Sequence, residues 1–563
     1  MKYLSIILPA ALFATVANAQ NVVDAARFSE TTLSGTARYR SMGGAFGAVG
    51  GDATAMTDNP AGLGIYRGTS EVSFTPQVTT YNTTTKGDIE KDTRKTGFSM
   101  SNLTYVISFN TEDAGELLNF NIGVGFNHSE GVDRKYRSYL GNPRSSFGAY
   151  LANQANNFLV NTGRYNNPGY LETDRPANMI EMGYNSYALD DASDTSGNLA
   201  GVCSFDQAEG LAGTQTLSVR EKTRMDEYNI SAAANWSNMF YGGITLSIVD
   251  FNSIVESELN EDYVNTSSYT DYYNNLESKG SGVNIKLGML FKPVDAWRIG
   301  LAYHTPTWMY MKDIYDGAMY TDADNGKSRT GSYEYKYRIN TPWELQFSTA
   351  YVIGNRGLVS FEYDMKDFSS ASYKEDKSND QDLLDVTNDV IKDYMQPQHI
   401  FKVGGEFRAT PRFSLRAGYQ YRTSPFKKEV FDEWQGRSWY MTDGSGTWGD
   451  DNETLFSSST KPNYSITDDQ HYFCVGCGWK GHGWFIDLAF VDQFRKDKIA
   501  AFPTTDALMR FDNDNNAVMS VNPWDRERHM LNQNAYNDGA VTANHIDMKS
   551  NIMSWDVTFG FKF

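Results

Sequence analysis

The sequence predicts an all-β fold, a 14-stranded antiparallel transmembrane β-barrel, on three observations: how its last strand ends, how many alternating segments it holds, and how the links between them are sized. From Trp555 to Phe563, residues Trp555, Val557, Phe559, Phe561 and Phe563 fall on one face of a strand, and Asp556, Thr558, Gly560 and Lys562 fall on the other. The reason is that strand side chains alternate with a period of two. One face is wholly apolar, and a chain closing on an aromatic residue after such a strand is typical of outer-membrane barrels. Alternating segments recur near 70–82, 97–110, 119–132, 225–237, 241–255, 282–293, 296–311, 336–352, 357–368, 398–409, 412–424, 468–480, 483–497 and 546–563. That is an even number, as single-chain bacterial barrels require. Short links (111–118, 238–240, 294–295, 353–356, 410–411, 481–482) take turns with long ones (83–96, 133–224, 256–281, 312–335, 369–397, 425–467, 498–545). Short periplasmic turns and long extracellular loops are the pattern of these barrels, and it places both termini on the periplasmic side.

At the N-terminus, Met1-Lys2 gives a positive start, Leu4 to Val16 a mostly apolar run, and Ala17-Asn18-Ala19 a small-x-small cleavage site before Gln20. This reads as a signal peptide over 1–19, since the apolar run is short for a bilayer span. No later run is long and apolar enough for a membrane helix, so any crossing falls to strands closed into a barrel, because lipid tolerates no unpaired edge. Aromatics make up 14% of the chain, with 35 Tyr and 11 Trp, yet the mean hydropathy is negative. A barrel with polar loops, aromatic belts and one wet face per strand accounts for both. A net charge of −19 argues against nucleic acid, which demands a basic surface, and suits solvated loops.

Individual strands carry the pattern clearly. Phe120, Ile122, Val124 and Phe126 oppose Asn121, Gly123, Gly125 and Asn127; Phe401, Val403 and Phe407 oppose Lys402, Glu406 and Arg408. Trp484, Ile486, Leu488 and Phe490 oppose a mixed set containing Asp487. Cys474 and Cys477 form a C-x-x-C inside such a run. Three residues apart on a strand their sulfurs point to opposite faces, whereas redox pairs sit at helix starts, so packing cysteines are expected. Two loop stretches have helical spacing instead: Phe147, Tyr150, Leu151, Phe158 and Leu159, and Leu383, Leu384, Val390, Ile391 and Tyr394. Each stripe packs on its own loop or forms a greasy entrance for an apolar ligand, the second with Leu383, Leu384 and Ile391.

Residues 20–66 are not strand-like. Gly35, Gly43, Gly44, Gly47, Gly50, Gly51, Gly62 and Gly64 stand among small residues, a composition that allows close backbone approach inside a lumen. Asp52 is placed to cap a short turn through Met56, and Pro60 holds Asn59 out of the helical region and ends it.

The run Gly43-Gly44-Ala45-Phe46-Gly47-Ala48-Val49-Gly50-Gly51-Asp52-Ala53-Thr54-Ala55, followed by Asn59-Pro60-Ala61-Gly62-Leu63, resembles the N-terminal hatch of the FadL/TodX outer-membrane transporters, with Asn59, Pro60 and Ala61 on its Asn-Pro-Ala motif. The resemblance implies a signal peptide (1–19), a hatch or plug inside the lumen (20–66) and a barrel (67–563) with its longest loop at 133–224. That loop departs from the family's pattern, so the ligand is not inherited with the fold. The implied mechanism is capture of a fatty acid or other hydrophobic molecule at outer loops, passage gated by the hatch, and sideways exit where the third strand kinks. In order, that strand is 119–132, with Gly123, Gly125 and Gly131 as kink residues or as filler beneath the hatch. The expected setting is the outer membrane of a Gram-negative bacterium, as a multi-pass monomer among membrane lipid.

No enzyme is expected: G-x-S-x-G and H-E-x-x-H are missing. The acidic run 512–516 lacks the glycine and closing glutamate of an EF-hand loop. Gly44-Ala-Phe-Gly47 has Met42 where a dinucleotide fingerprint needs its first glycine. Neither cofactor nor metal is anticipated. Haem capture is the alternative, since histidine or tyrosine can ligate its iron, but His128, His304, His399, His471, His482, His529 and His545 are scattered. An adhesive barrel with interacting outer loops is the other.

Overall fold

The computed structural model describes residues 21–111, 116–161, 178–193, 199–203, 212–264, 268–322, 326–329, 332–376, 381–431, 461–503, 509–511, 517–519 and 544–563. The expected signal peptide and the acidic run 512–516 lie outside the described residues.

The wall is built by β1 (Glu71–Lys86), β2 (Glu90–Asn110), β3 (Leu117–Leu140), β4 (Ala212–Trp236), β5 (Phe240–Tyr263), β6 (Tyr269–Val294), β7 (Trp297–His304 and Trp308–Thr321), β8 (Tyr333–Asn340 and Glu344–Ile353), β9 (Gly357–Asp367), β10 (Pro397–Arg408), β11 (Phe413–Arg422), β12 (Tyr464–Lys480), β13 (Trp484–Ala500) and β14 (Ile546–Lys562). Each strand pairs antiparallel with the next, and β14 returns to β1 from Glu71↔Lys562 to Lys86↔Asp547, which closes the 14-stranded barrel. All the segments counted in the sequence are there. β7 and β8 are each broken once, at Pro306 and Pro342, where proline has no N–H for the ladder.

Several strands run far past the expected ends. The stretches 83–96 and 256–281, anticipated as long loops, are mostly strand in their described residues, the first closing in a tight turn around 87–89. The stretch 133–224 likewise gives its ends to β3 and β4. The reason is visible in β5, whose 24 residues are about twice the 9–11 that a tilted strand needs to cross a membrane. Ile244, Leu246 and Ile248 point outward and are exposed, with Thr245 and Ser247 inside. From there the pattern inverts: Phe251, Val255 and Leu259 are buried inside while Asp250, Asn252, Glu256 and Glu258 face out. Lipid selects the first phase and water the second, so a search for one apolar face loses the strand where the solvent changes. The C-terminal strand keeps the expected assignment, with Trp555 and Phe561 exposed and Asp556, Thr558 and Gly560 inside.

Residues 21–66 lie in the lumen as α1 (Val22–Ser29), α2 (Ala37–Ser41) and two 3-10 turns, Ala53–Met56 and Pro60–Ile65. Asn21, Thr36, Asp52 and Asn59 cap these in turn, each accepting a backbone N–H of its own first turn, the standard service of such side chains. Wall glycines make room for them in cross-strand pairs. Gly404 faces Gly418, and a Cβ on either would come within 2.4 Å of Met42 backbone. Gly243 faces Gly288, beneath Asn59-Pro60-Ala61, where a Cβ on Gly243 would lie 2.3 Å from Pro60 C.

The loops cap the outer end. In the long loop after β3, α3 (Phe147–Asn161) and α4 (Asn178–Asn185) pack on the inward apolar residues of the β3–β6 extensions; α5 (Gln381–Tyr394) follows β9. Among the described residues no helix is long and apolar enough to cross a membrane.

Candidate functional site

The wall has one conspicuous break. β2 and β3 pair from Asn110↔Asn119 to Asn102↔Asn127, and there the ladder stops, although both strands run on. Each strand is irregular beside the break. Ser101 is an extra residue in β2 opposite Thr75/Pro76, and Gly131-Val132 form a bulge in β3 opposite Thr223 of β4. A bulge bends its strand and adds twist, so the two edges diverge. Farther out the seam is sewn again by side chains, with Lys95 on Asp133 and Thr93 Oγ1 donating to Lys135 O. The unladdered stretch therefore lies between 96–101 and 128–132. Phe98 and Met100 flank it on the outer surface, and Phe98 is 72% exposed.

The luminal segment covers this break from inside. Thr32 N donates to Ser129 Oγ at 3.0 Å, Gly35 N to Ser101 Oγ at 3.2 Å, and Asn127 Nδ2 to Ser34 Oγ at 2.9 Å. Of the three glycines singled out on the third strand, only Gly131 sits in the bulge. Gly123 and Gly125 seat Met56, whose Sδ and Cε would lie 2.7 and 2.9 Å from a Cβ there.

Elsewhere the segment is held by charge. Arg40 pairs with Asp556 and donates to Ser554 Oγ at 2.8 Å. Arg38 and Arg416 share Glu406 at 3.0 and 2.8 Å. Phe46 N and Gly47 N donate to Glu362 Oε2 at 3.0 and 2.6 Å, and that carboxylate also bonds Lys402. Asn59 Nδ2 donates to Gly47 O at 2.9 Å and to Met289 O at 3.2 Å, while its Oδ1 accepts Ala61 N. The Asn-Pro-Ala residues thus join one luminal turn to another and both to the wall.

Beneath α1 a cavity of about 150 Å³ reaches from Asn127 and Ser129 at the break to Lys286, His304, Lys366 and Lys402 across the lumen. It is more polar than an entrance for grease would be. A smaller one of about 50 Å³ lies beside it, with Val23, Phe368, Phe426 and Tyr464 on one side and Arg27, Arg134, Arg422, Lys461 and Arg495 on the other, opposed by Glu30 and Glu221. Cations outnumber acids among the residues that line it, but Asp24 and Asp497 behind them pair with Arg27, Lys461, Arg134 and Arg495, which leaves Arg422 as the lining cation with no ion pair among the described residues. Above it α1 fills an apolar compartment: Val22, Ala25 and Phe28 pack with Phe251, Met309, Met311, Leu384, Val390 and Ile391, and Phe28 meets Phe251 edge-on at 5.2 Å.

Phe147, Tyr150 and Leu151 are buried with Tyr272 and Phe502 in the cap. Leu384 and Ile391 face α1. The side chains of Phe158, Leu159 and Leu383 lie outside the described residues. The described histidines stay apart, His399 on Tyr363, His471 on Tyr419 and His545 on Tyr464, and no group of three metal-ligating residues occurs among the described residues. Cys474 and Cys477 are both free. Sequence reasoning missed Thr32, Ser101 and Ser129, which carry no signal of their own. It also missed the cation-rich cavity, which did carry one: Arg134 and Arg495 stand at lumen-facing strand positions.

Residues 243–432 match the model of a family described as outer membrane protein transport protein (OMPP1/FadL/TodX). The chain is similar to the crystal structure of a Pseudomonas aeruginosa FadL homologue (12% identity, 94% of this chain and 99% of that one, TM-score 0.48). It is also similar to the P. putida toluene transporter TodX (11%, 94% and 99%, 0.49) and to the Ralstonia pickettii toluene transporter TbuX (12%, 94% and 99%, 0.46). No curated protein sequence matches.

Proposed function

We propose that this outer-membrane barrel, which resembles the FadL/TodX transporters of hydrophobic compounds, takes up an elongated apolar molecule with an anionic head, a long-chain fatty acid, and releases it sideways through the wall between β2 and β3. The observation that carries the reading is the ladder ending at Asn102↔Asn127 with residues 32–35 bonded across the gap. A closed barrel has every reason to pair its strands in lipid, where each unmet backbone group is costly, so an unladdered stretch behind a luminal segment suits a gated exit. The cation-rich cavity would receive the head, and the compartment now filled by α1 would receive the acyl chain once α1 withdraws. Residues 20–66 then act as a hatch, the role that the resemblance gives them.

Each methylene taken from water contributes about 0.8 kcal/mol, so affinity should climb along a saturated fatty-acid series until the compartment is full. Haemin run in parallel separates the haem alternative, which predicts tight haemin binding and indifference to acyl length. For the exit itself, Thr32→Cys with Ser129→Cys, in a chain whose own cysteines are replaced by serine, tethers the hatch across the break. Uptake of labelled fatty acid should stop in the oxidised protein and return on reduction; uptake unaffected by the tether would remove the lateral route.

A further inference from the structure

The outer extensions of β3 to β7 carry a hollow of about 940 Å³ on the outward surface of the wall, a surface that a closed barrel makes convex. One row of outward side chains crosses its floor in register: Lys135, Arg220, Glu256, Asn275 and Asp316 stand opposite one another on five successive strands. In the next row out lie Arg137 at one end, Tyr273 in the middle and Arg329 at the other. Tyr273 meets Tyr320 edge-on at 5.7 Å, and Arg329 Nη2 donates to the same Tyr320 hydroxyl at 3.0 Å. Toward the membrane β4 continues the positive charge with Lys222 and Arg224, both outward and exposed. Lys135 directly opposes Arg220, an arrangement that destabilises a bare sheet. The acids nearby are engaged elsewhere: Glu256 is 3.1 Å from Arg220, and Asp133, opposite Lys222, pairs with Lys95. Lys135, Arg137 and Lys222 take part in no ion pair among the described residues.

The height of the hollow says what stands beside it. On β4 the outward apolar face reaches Tyr228, which is exposed, and Arg220 lies eight residues farther out. That is about 26 Å along the strand and about 20 Å above the belt once strand tilt is allowed for. On β6 the step from exposed Val283 to Asn275 repeats the spacing. The hollow is therefore clear of hydrocarbon, yet it opens toward the neighbouring lipid rather than toward the lumen. In the outer leaflet of this membrane that space belongs to the phosphorylated sugars of lipopolysaccharide. We infer that the hollow is a docking site for the anionic core sugars of one lipopolysaccharide molecule, with Lys222 and Arg224 beneath it at the level of the lipid A phosphates. Lysine and arginine supply charge-assisted bonds to phosphate. Glu256, Asn275 and Asp316 offer the acceptors and donors that sugar hydroxyls need, and the Tyr273 ring offers an apolar face with a polar tip.

The test separates the core sugars from the lipid. The full chain in mild detergent is offered rough lipopolysaccharide, which carries a phosphorylated core, and lipid A, which carries none, and the bound glycolipid is measured by native mass spectrometry. The rough form should be retained more tightly, and K135Q/R137Q should reduce that preference by roughly five-fold for each cation engaged. The control is K496Q/K549Q, which removes two outward cations that oppose each other on β13 and β14; it should keep the preference. Equal retention of the two glycolipids by the native chain overturns the inference. So does a preference that survives K135Q/R137Q, or one lost equally in the control. If K135Q/R137Q fails to fold, the native chain at low and high salt decides: a preference carried by these cations shrinks with salt, and a salt-independent one refutes the site.

Discussion

At the scale of single residues, the lumen works by subtraction as much as by contact. Gly404 and Gly418 matter for the side chains they lack, because Met42 occupies their place. Gly404→Val should therefore unseat α2 without unmaking the wall. Trypsin cleavage at Arg38 and Arg40 in otherwise folded barrels would report it, and protection equal to the native chain would contradict it. Arg40 and Asp556 make the opposite kind of contact, a buried ion pair between the luminal segment and the wall. Removing one partner of such a pair strands the other charge, at about 3–5 kcal/mol. Asp556→Ala should thus loosen the hatch and raise permeability to bulky antibiotics, whereas Asp556→Ala combined with Arg40→Met should recover much of the loss because no bare charge is left.

Among the elements, α3 shows how the outer cap is docked. Its first N–H, on Phe147, donates to both oxygens of Glu261, at 2.9 and 2.7 Å, and Gln215 Nε2 donates to the same carboxylate. Glu261 lies near the outer end of β5, well above its apolar face, and burial pushes its carboxyl up to about 7. An acid whose folded pKa is raised binds a proton in the folded state that it has lost in the unfolded one, between the ordinary carboxylate range and about 7. Docking is then firmest below that window and weakens as pH rises through it. Protection factors at 147–155, corrected for the intrinsic rise of exchange with pH, should be higher at pH 5 than at pH 8, and Glu261→Gln should flatten the difference; equal protection at both pH values would show that Glu261 does not govern docking. The elements also mark what a sequence can disclose. Lower strand halves were legible because lipid forces one face to be apolar, as at Ile244, Leu246 and Ile248. Upper halves were hidden because Phe251, Val255 and Leu259 bury on the other face. The bulges at Ser101 and Gly131-Val132 were illegible, since register is a property of two strands at once; only the glycine hinted at the second. Asn59-Pro60-Ala61 stood out because capping and proline geometry are local. The filling of the lumen by α1 joins residues hundreds apart in sequence, and no local pattern announces it.

For the whole molecule, the luminal segment is bonded to the wall on several sides while the wall closes on itself from β14 to β1. Wall and hatch should therefore be separable. Deleting 21–60 should leave a barrel that still resists unfolding in cold detergent but admits antibiotics the native chain excludes; unchanged permeability would mean the segment blocks nothing. The change of phase within β5 has a consequence of another kind. Sliding the barrel inward by one repeat would drag Asp250 toward hydrocarbon, and sliding it outward would bare Ile248 to water. Each misplacement is penalised, mildly near the interface and more steeply toward the midplane. Summed over the strands that share the inversion, this makes the barrel its own depth gauge: the polypeptide marks the waterline, and its outer collar stands clear of the membrane at a fixed height.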